Sequence, residues 1–313
     1  MTVLSIVTTL YNSAAYVQEF HRRCAQQAAA ITADYEIIFV NDGSPDASLE
    51  VALSIYQNDP KTKVVNLSRN FGHHKAIMTG LLYAQGELVF LIDSDLEEAP
   101  ELLGQFYAAL HEHQVDVVYG IQKARQQPLL NRVSGNLFYQ GFNFFSDVKL
   151  RQNLLTVRLM TKRYAQALLE YRERVMIIAV LWEMAGFKQL GLEVEKQYKG
   201  WSNYNLARKV SIILHGITAT SKKPLLYIAY LGGILTFSAA LFIAYLILMF
   251  VFRGVGVEGW LSTMVSIWCF SGLNILILGI IAIYLSVIFD EVKQRPYTIV
   301  KDYHQHEETP PAP

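Results

Sequence analysis

Cysteine is nearly missing from this chain: Cys24 and Cys269 stand far apart in its 313 residues and form no C-x-x-C pair. That scarcity argues against a disulfide framework or a thiolate zinc site, and it suits a reducing compartment for the soluble part. Net charge is missing as well. The 27 basic side chains balance 27 acidic ones, so no nucleic acid or other field-driven partner is implied. Met1-Thr-Val-Leu-Ser-Ile-Val7 has no basic residue before its apolar run and does not read as a signal peptide. Glycine-rich phosphate loops are lacking too. There is no G-x-x-x-x-G-K-S/T, and no G-x-G-x-x-G follows the first strand-like run. A nucleotide bound here would be gripped by carboxylate, metal and side-chain amide.

Two long stretches also lack charge. Residues 224–252 and 259–289 contain no Asp, Glu, Lys or Arg. Each exceeds the roughly 20 apolar residues that cross a bilayer. Two membrane helices are expected at about 224–252 and 260–289, joined by a short connection through Arg253 and Glu258. Lys222 and Lys223 precede the first span, Lys293 and Arg295 follow the second, and the connection carries only Arg253. By the positive-inside rule both termini and the polar domain over residues 1–200 then lie in the cytoplasm. Residues 201–223 carry apolar side chains at helical spacing beside Arg208 and Lys209. They are expected to form a juxtamembrane helix, either in the plane of the interface or packed on the domain core. Residues 291–313 read as a polar, Pro-ending cytoplasmic tail, with His304 and His306 unstructured and not a metal site.

The polar domain alternates strand-like and helix-like runs. Leu4–Thr9, Glu36–Asn41, Lys63–Leu67, Leu88–Ile92 and Val115–Tyr119 are short and apolar or β-branched. Between them lie helical stretches at Ala14–Ala30, Ala47–Gln57, Lys75–Ala84 and Pro100–His113. This order implies an α/β fold with a mainly parallel sheet and right-handed crossovers. A polar cluster follows each of the first four strands: Leu10-Tyr11-Asn12, Asn41-Asp42-Gly43-Ser44-Pro45-Asp46, Ser68-Arg69-Asn70-Phe71-Gly72-His73-His74, and Asp93 to Pro100. All four open on one sheet edge, where such folds bind ligands. Asp93-Ser-Asp95, with Glu97 beyond, reads there as a hard-cation site. Asp, Glu and Pro also start helices, so a capping turn is the alternative for that segment alone.

These motifs resemble the GT-A glycosyltransferases of family 2, in particular the membrane-anchored polyprenyl-phosphate glycosyltransferases. The resemblance continues through Asp116-Val-Val-Tyr-Gly120, Arg158-Leu-Met160 and Gly186-Phe187 to the paired C-terminal spans, and so covers nearly the whole chain. It implies a Rossmann-like nucleotide half joined to an acceptor-facing half. It also implies roles for residues. Tyr11, Asn12 and Asp42 would contact the nucleotide base, and Asp93 the sugar and ribose. Asp95 with Glu97 would hold Mg²⁺ or Mn²⁺ on the donor diphosphate, and Arg69 and Lys75 would touch the donor. Asp93, Asp95 and Arg158 form the expected catalytic group. Arg125, Arg132, Arg208 and Lys209 are candidates for the lipid phosphate. The partners implied are a UDP-linked hexose, undecaprenyl phosphate and the bacterial inner membrane. Similar enzymes form homotetramers.

Three departures from the family's pattern stand out. Thr9 and Ser13 replace the Pro and Glu that often flank the first Tyr-Asn. Glu97 replaces a common Gln. Leu155-Thr156-Val157-Arg158 has no carboxylate where many members carry the Asp of Gly-Asp-Phe-Arg. Either the reaction needs no base, which an ionised phosphate acceptor permits and which is the reading favoured, or activity is altered. Two other readings remain: a processive polysaccharide synthase, though Gln-x-x-Arg-Trp is missing, and an inactive membrane scaffold of the same fold.

Overall fold

The computed structural model describes residues 2–123, 153–174, 176–195, 221–253 and 259–306, with 140, 143–146, 148, 149, 151 and 218. The chain divides into two units. The first comprises Met1–Asn136, Leu150–Tyr204 and Arg295–Pro313; the second comprises Leu137–Lys149 and Asn205–Gln294.

The first unit is built on an eight-stranded sheet. Its strands are β1 (Leu4–Leu10), β2 (Tyr35–Asn41), β3 (Thr62–Leu67), β4 (Leu88–Leu91), β5 (Val117–Gln122), β6 (Leu154–Thr161), β7 (Gln189–Val194) and β8 (Val300–His304). They are ordered β7-β5-β6-β4-β1-β2-β3-β8. Strands β1 to β4 pair in parallel, and β6 and β8 run against their neighbours. The helices between them are α1 (Val17–Ile31), α2 (Ser48–Asn58), α3 (His73–Tyr83), α4 (Leu102–His113), α5 (Lys162–Leu169) and α6 (Ile178–Met184).

Strands covered on both faces read as nearly continuous apolar runs, and β1 to β4 do. Alternate side chains feed two cores. Leu4, Ile6, Ile37, Phe39 and Phe90 meet Phe20, Cys24, Leu103 and Phe106 on one face. Val7, Ile38, Val40, Val89 and Leu91 meet Ala76, Ile77, Tyr164 and Trp182 on the other. Helices α1, α2 and α4 therefore cover one side, and α3, α5 and α6 the opposite side. The order β3-β2-β1-β4 is that of a doubly wound nucleotide-binding half, as the alternation implied.

The C-terminal tail departs from expectation. Residues 300–304 form β8, antiparallel to β3, and belong to the first unit. Asn66 donates to the Asp302 carboxylate at 2.8 Å, and Tyr303 packs on Tyr83 with ring centroids 4.6 Å apart. His306 accepts no disorder either. Its Nε2 bonds the Tyr56 carbonyl at 2.7 Å, and its ring lies 4.2 Å from that of Tyr56. The exposed edge of β3 offers unpaired backbone groups, and that template orders a tail whose composition alone reads as polar coil.

The second unit contains α7 (Lys223–Arg253) and α8 (Trp260–Val292). Within them, Lys223–Met249 and Thr263–Val292 are long and apolar enough to cross a membrane, with mean hydropathy 2.2 and 2.5. Most of their large side chains, among the described residues, face outward: Phe237 is 67 % exposed and Trp268 79 %. Such faces are not those of a core helix in water. Tyr284 ties α8 to the start of α7 by donating to the Ser221 carbonyl at 2.9 Å. The connection 254–258 and most of 201–217 lie outside the described residues.

Candidate functional site

Strand register brings the four polar turns together. Leu10 pairs with Asn41, Asn41 with Asn66, and Val7 with Leu91, so β1 to β4 end along one edge. The turns after β1 and β2 are then stitched by side chains. Asn12 N–H donates to Ser44 Oγ at 2.8 Å, Ser13 N–H to Ser48 Oγ at 2.9 Å, and Ala14 N–H to Asp46 Oδ2 at 3.0 Å. Both serine hydroxyls donate to Asp46 Oδ1 at 2.5 Å. Burial opposes ionisation of Asp46, but these hydrogen bonds outweigh it and hold the carboxyl well below its ordinary range. Asn12 has a φ of 53°, a left-handed conformation Asn tolerates. Tyr11 beside it is 50 % exposed at the edge.

Asp42 is differently placed from what its expected role requires. It is 2 % exposed, and its two oxygens accept the N–H groups of Phe71 at 2.7 Å and Gly72 at 3.0 Å. Burial raises its pKa, and those two amides partly offset the rise. The carboxylate is thus spent on shaping the turn after β3 and is not open to a base. Gly43 permits that approach: a Cβ there would lie 2.5 Å from Asn70 N, at a φ of 61°. Arg69 is exposed, donates to the Asn70 carbonyl at 2.9 Å and covers the Phe71 ring at 4.0 Å. Lys75 sits in the first turn of α3, with Nζ 5.9 Å from the Tyr297 ring centre.

The turn after β4 alternates inward and outward. Ser94 is buried and hydrogen-bonds the Thr9 carbonyl at 2.9 Å and Ser13 Oγ at 3.0 Å. Thr9, through its backbone carbonyl, and Ser13, through its hydroxyl, thus hold the acidic turn. Glu98 is also buried and accepts the Val157 N–H of β6 at 3.0 Å. Asp93, Asp95 and Glu97 are each partly exposed. Asp95 Oδ1 accepts the Glu97 N–H at 2.9 Å across Leu96, whose φ is 59°. Asp93 Oδ1 lies 3.5 Å from His73 Nε2.

Among the described residues, no three His, Cys, Asp or Glu side chains converge as a metal cage. A cage made only of protein groups does not fit this turn. Magnesium, however, is commonly held by one or two carboxylates together with substrate phosphates. Asp95 and Glu97 fit that second arrangement, since both reach solvent from one tight turn.

Arg158 is corrected by the structure. It sits on β6 opposite Leu91 and Tyr119, is 1 % exposed, and stacks with its guanidinium 2.9 Å from the Trp182 ring centre. It donates to the carbonyls of Thr156 and Leu155, both at 3.2 Å. Burial pulls its pKa below the ordinary value. Such a group supports the sheet under the edge and offers no surface to a substrate. Arg125, Arg132, Arg208 and Lys209 lie outside the described residues. Sequence reasoning passed over His73, Ser94, Asp46 and Glu98, whose partners all lie on other segments or in side-chain geometry that spacing does not reveal. Their membership of the polar clusters after β2, β3 and β4 was the signal the sequence offered.

The profile described as Glycosyl transferase family 2 matches residues 5–169. A Mycobacterium tuberculosis protein named as a glycosyltransferase is 47 % identical over 298 residues, covering 95 % of this chain and 87 % of its own length. A Synechocystis glycosyltransferase is 33 % identical over 306 residues, 96 % of each chain. An Escherichia coli protein named as a prophage bactoprenol glucosyl transferase homologue is 27 % identical over 311 residues, 95 % of this chain and 98 % of that one.

Proposed function

Because this chain belongs to glycosyl transferase family 2, we propose that it moves a sugar from a nucleotide-sugar, a UDP-hexose, to a polyprenyl phosphate, with inversion. One observation carries the reading: a single chain combines an acidic turn at the ligand edge of the sheet with two helices apolar enough to cross a membrane. A soluble acceptor would not require the second feature. The E. coli relative, whose name includes a bactoprenol glucosyl transferase, supports a polyprenyl acceptor by matching over nearly its full length. The reaction runs at the cytoplasmic leaflet of the inner membrane, with both termini in the cytoplasm.

In this mechanism an anionic oxygen of the lipid phosphate attacks the anomeric carbon. The bond from that carbon to the diphosphate breaks on the opposite face, and the nucleoside diphosphate leaves with the bonding pair. Asp95 and Glu97 would hold Mg²⁺ or Mn²⁺, which as a Lewis acid offsets charge on the departing diphosphate. Tyr11 and Asn12 flank the base, Arg69 and Lys75 carry positive charge toward the donor, and Asp93 orients the sugar hydroxyls. Thr156 supplies no base, and none is needed because the attacking phosphate oxygen is already ionised at neutral pH. Arg125, Arg132, Arg208 and Lys209 supply cations for the lipid phosphate. A homotetramer is the assembly we propose.

The test is purified full-length protein with undecaprenyl phosphate, a panel of radiolabelled UDP-sugars and Mg²⁺ or Mn²⁺. We expect a chloroform-soluble labelled lipid that disappears on chelation. An insoluble labelled polymer would identify a processive synthase instead. No product from any donor, with the protein folded, would mark an inactive scaffold.

A further inference from the structure

His73 opens α3 directly after Gly72, and its two ring nitrogens face two other strand ends. Nδ1 lies 3.0 Å from Thr9 Oγ1 near the end of β1, and Nε2 lies 3.5 Å from Asp93 Oδ1 after β4. The three groups differ in exposure. Thr9 is 9 % exposed, whereas the side chains of Asp93 and His73 are 25 % and 45 % exposed. The imidazole thus bridges a buried hydroxyl to a carboxylate at the open edge.

The chemistry of each partner sets the direction of the bridge. An ionised carboxylate only accepts, so the tautomer with its proton on Nε2 is the one that can donate toward Asp93, 3.5 Å away. In the neutral ring Nδ1 is then an acceptor, and the Thr9 hydroxyl donates to it. A hydroxyl can also accept from the doubly protonated ring, so Thr9 serves either state. A hydrogen bond at one ring nitrogen commonly fixes what the other presents.

The frame around this bridge is anchored on both sides. The N–H groups of Phe71 and Gly72, just before His73, are held by the buried Asp42. Ser94, just after Asp93, bonds the carbonyl of Thr9. Thr9 therefore touches Asp93 by two routes, through His73 and through Ser94. His74 points elsewhere, with Nδ1 3.3 Å from the Met176 carbonyl.

We infer that His73 is a positioning residue for glycosyl transfer: oriented by Thr9, it holds one oxygen of Asp93 and so fixes the carboxylate that faces the donor sugar. This rests on the proposed role of Asp93 at the donor. Losing the His73 contact would let the carboxylate shift, and small misplacements of a catalytic group can cost on the order of a hundredfold in rate. The base contacts proposed for Tyr11 and Asn12 lie on the turn after β1 and are not affected.

The experiment uses the full-length protein, UDP-sugars with Mg²⁺, and two readouts: lipid-linked product, and nucleoside diphosphate released by slow hydrolysis to water. We expect His73→Ala to lower kcat about 10- to 100-fold in either readout while UDP affinity by calorimetry stays within about twofold. His73→Gln, whose amide N–H reaches toward Asp93, should recover most of that loss. Thr9→Val should lower kcat about threefold to tenfold alone and add nothing to His73→Ala, because both changes release the same carboxylate. Melting temperatures of all variants identify any that fail to fold, and for those His73→Gln carries the comparison. A wild-type kcat in His73→Ala, or fully additive losses with Thr9→Val, overturns the inference. Hydrolysis without lipid product overturns the proposed acceptor alone, and the His73 comparison is then read from hydrolysis.

Discussion

The turns after β2 and β4 both place aspartates at the same edge of one sheet, yet they use them in opposite ways. Asp42 is 2 % exposed, with an N–H on each oxygen. Asp93 is partly open and faces an imidazole, and Asp95 spends one oxygen on its own turn. The first turn employs its carboxylate as scaffold, and the second presents carboxylates to solvent. Topological position makes an aspartate a candidate; its hydrogen-bond partners decide whether it can meet a ligand.

Four substitutions break or sharpen that contrast. The largest effect is expected from Asp95→Asn, which removes a charge from the presented turn. Transfer should fall on the order of a thousandfold, the several kcal/mol that a divalent Lewis acid supplies, with the melting temperature unchanged. Activity near wild type would remove Asp95 from the metal site. Next is Asp42→Ala, which strands two amides in a buried setting. Denaturation midpoints should report a loss of about 2–4 kcal/mol. A variant of full stability but lost nucleotide binding would restore Asp42 to the base site.

A smaller change is expected from Asp46→Ala in the scaffold turn, about 1 kcal/mol, the scale of a lost helix cap at a solvent-screened position. Its pH dependence has a definite sign. The Asp46 pKa is lowered in the folded state by Ser44, Ser48 and the Ala14 amide against the opposing effect of burial. Its contribution is therefore present above the unfolded carboxylate value and lost as the pH falls through the lower folded value. Melting curves of wild type and Asp46→Ala should differ at neutral pH and converge in acid; a gap that widens in acid contradicts the assignment. The smallest effect is reserved for Thr156→Ala, which should leave transfer within about twofold, because an ionised acceptor needs no base there. A larger drop in kcat would give Thr156 a part in the chemistry.

Much of the first four strands was legible beforehand. Runs such as Ile37-Ile-Phe-Val40 are apolar on both faces, and local composition is enough to read them. Strand β6 was not legible, because Thr156 and Arg158 interrupt it and the partner that shelters Arg158, Trp182, comes from another helix. Strand β8 was missed for a related reason. Val300-Lys-Asp-Tyr-His304 becomes a strand only where β3 offers it an edge. Thr9, Ser13 and His73 read as departures or neighbours of motifs, and their hydrogen bonds join segments separated by up to 85 residues.

That a cluster of carboxylates follows the fourth apolar strand, and that two long uncharged apolar runs follow the polar domain, the amino-acid sequence determined unaided. Periodicity and gaps in charge are local properties that no distant contact need complete. Which aspartates stay open, which are consumed by backbone amides, and which imidazole faces Asp93 were decided only in the tertiary structure. Those outcomes depend on donors brought from other strand ends by the parallel register, and a carboxylate's availability is set by the groups that fold against it.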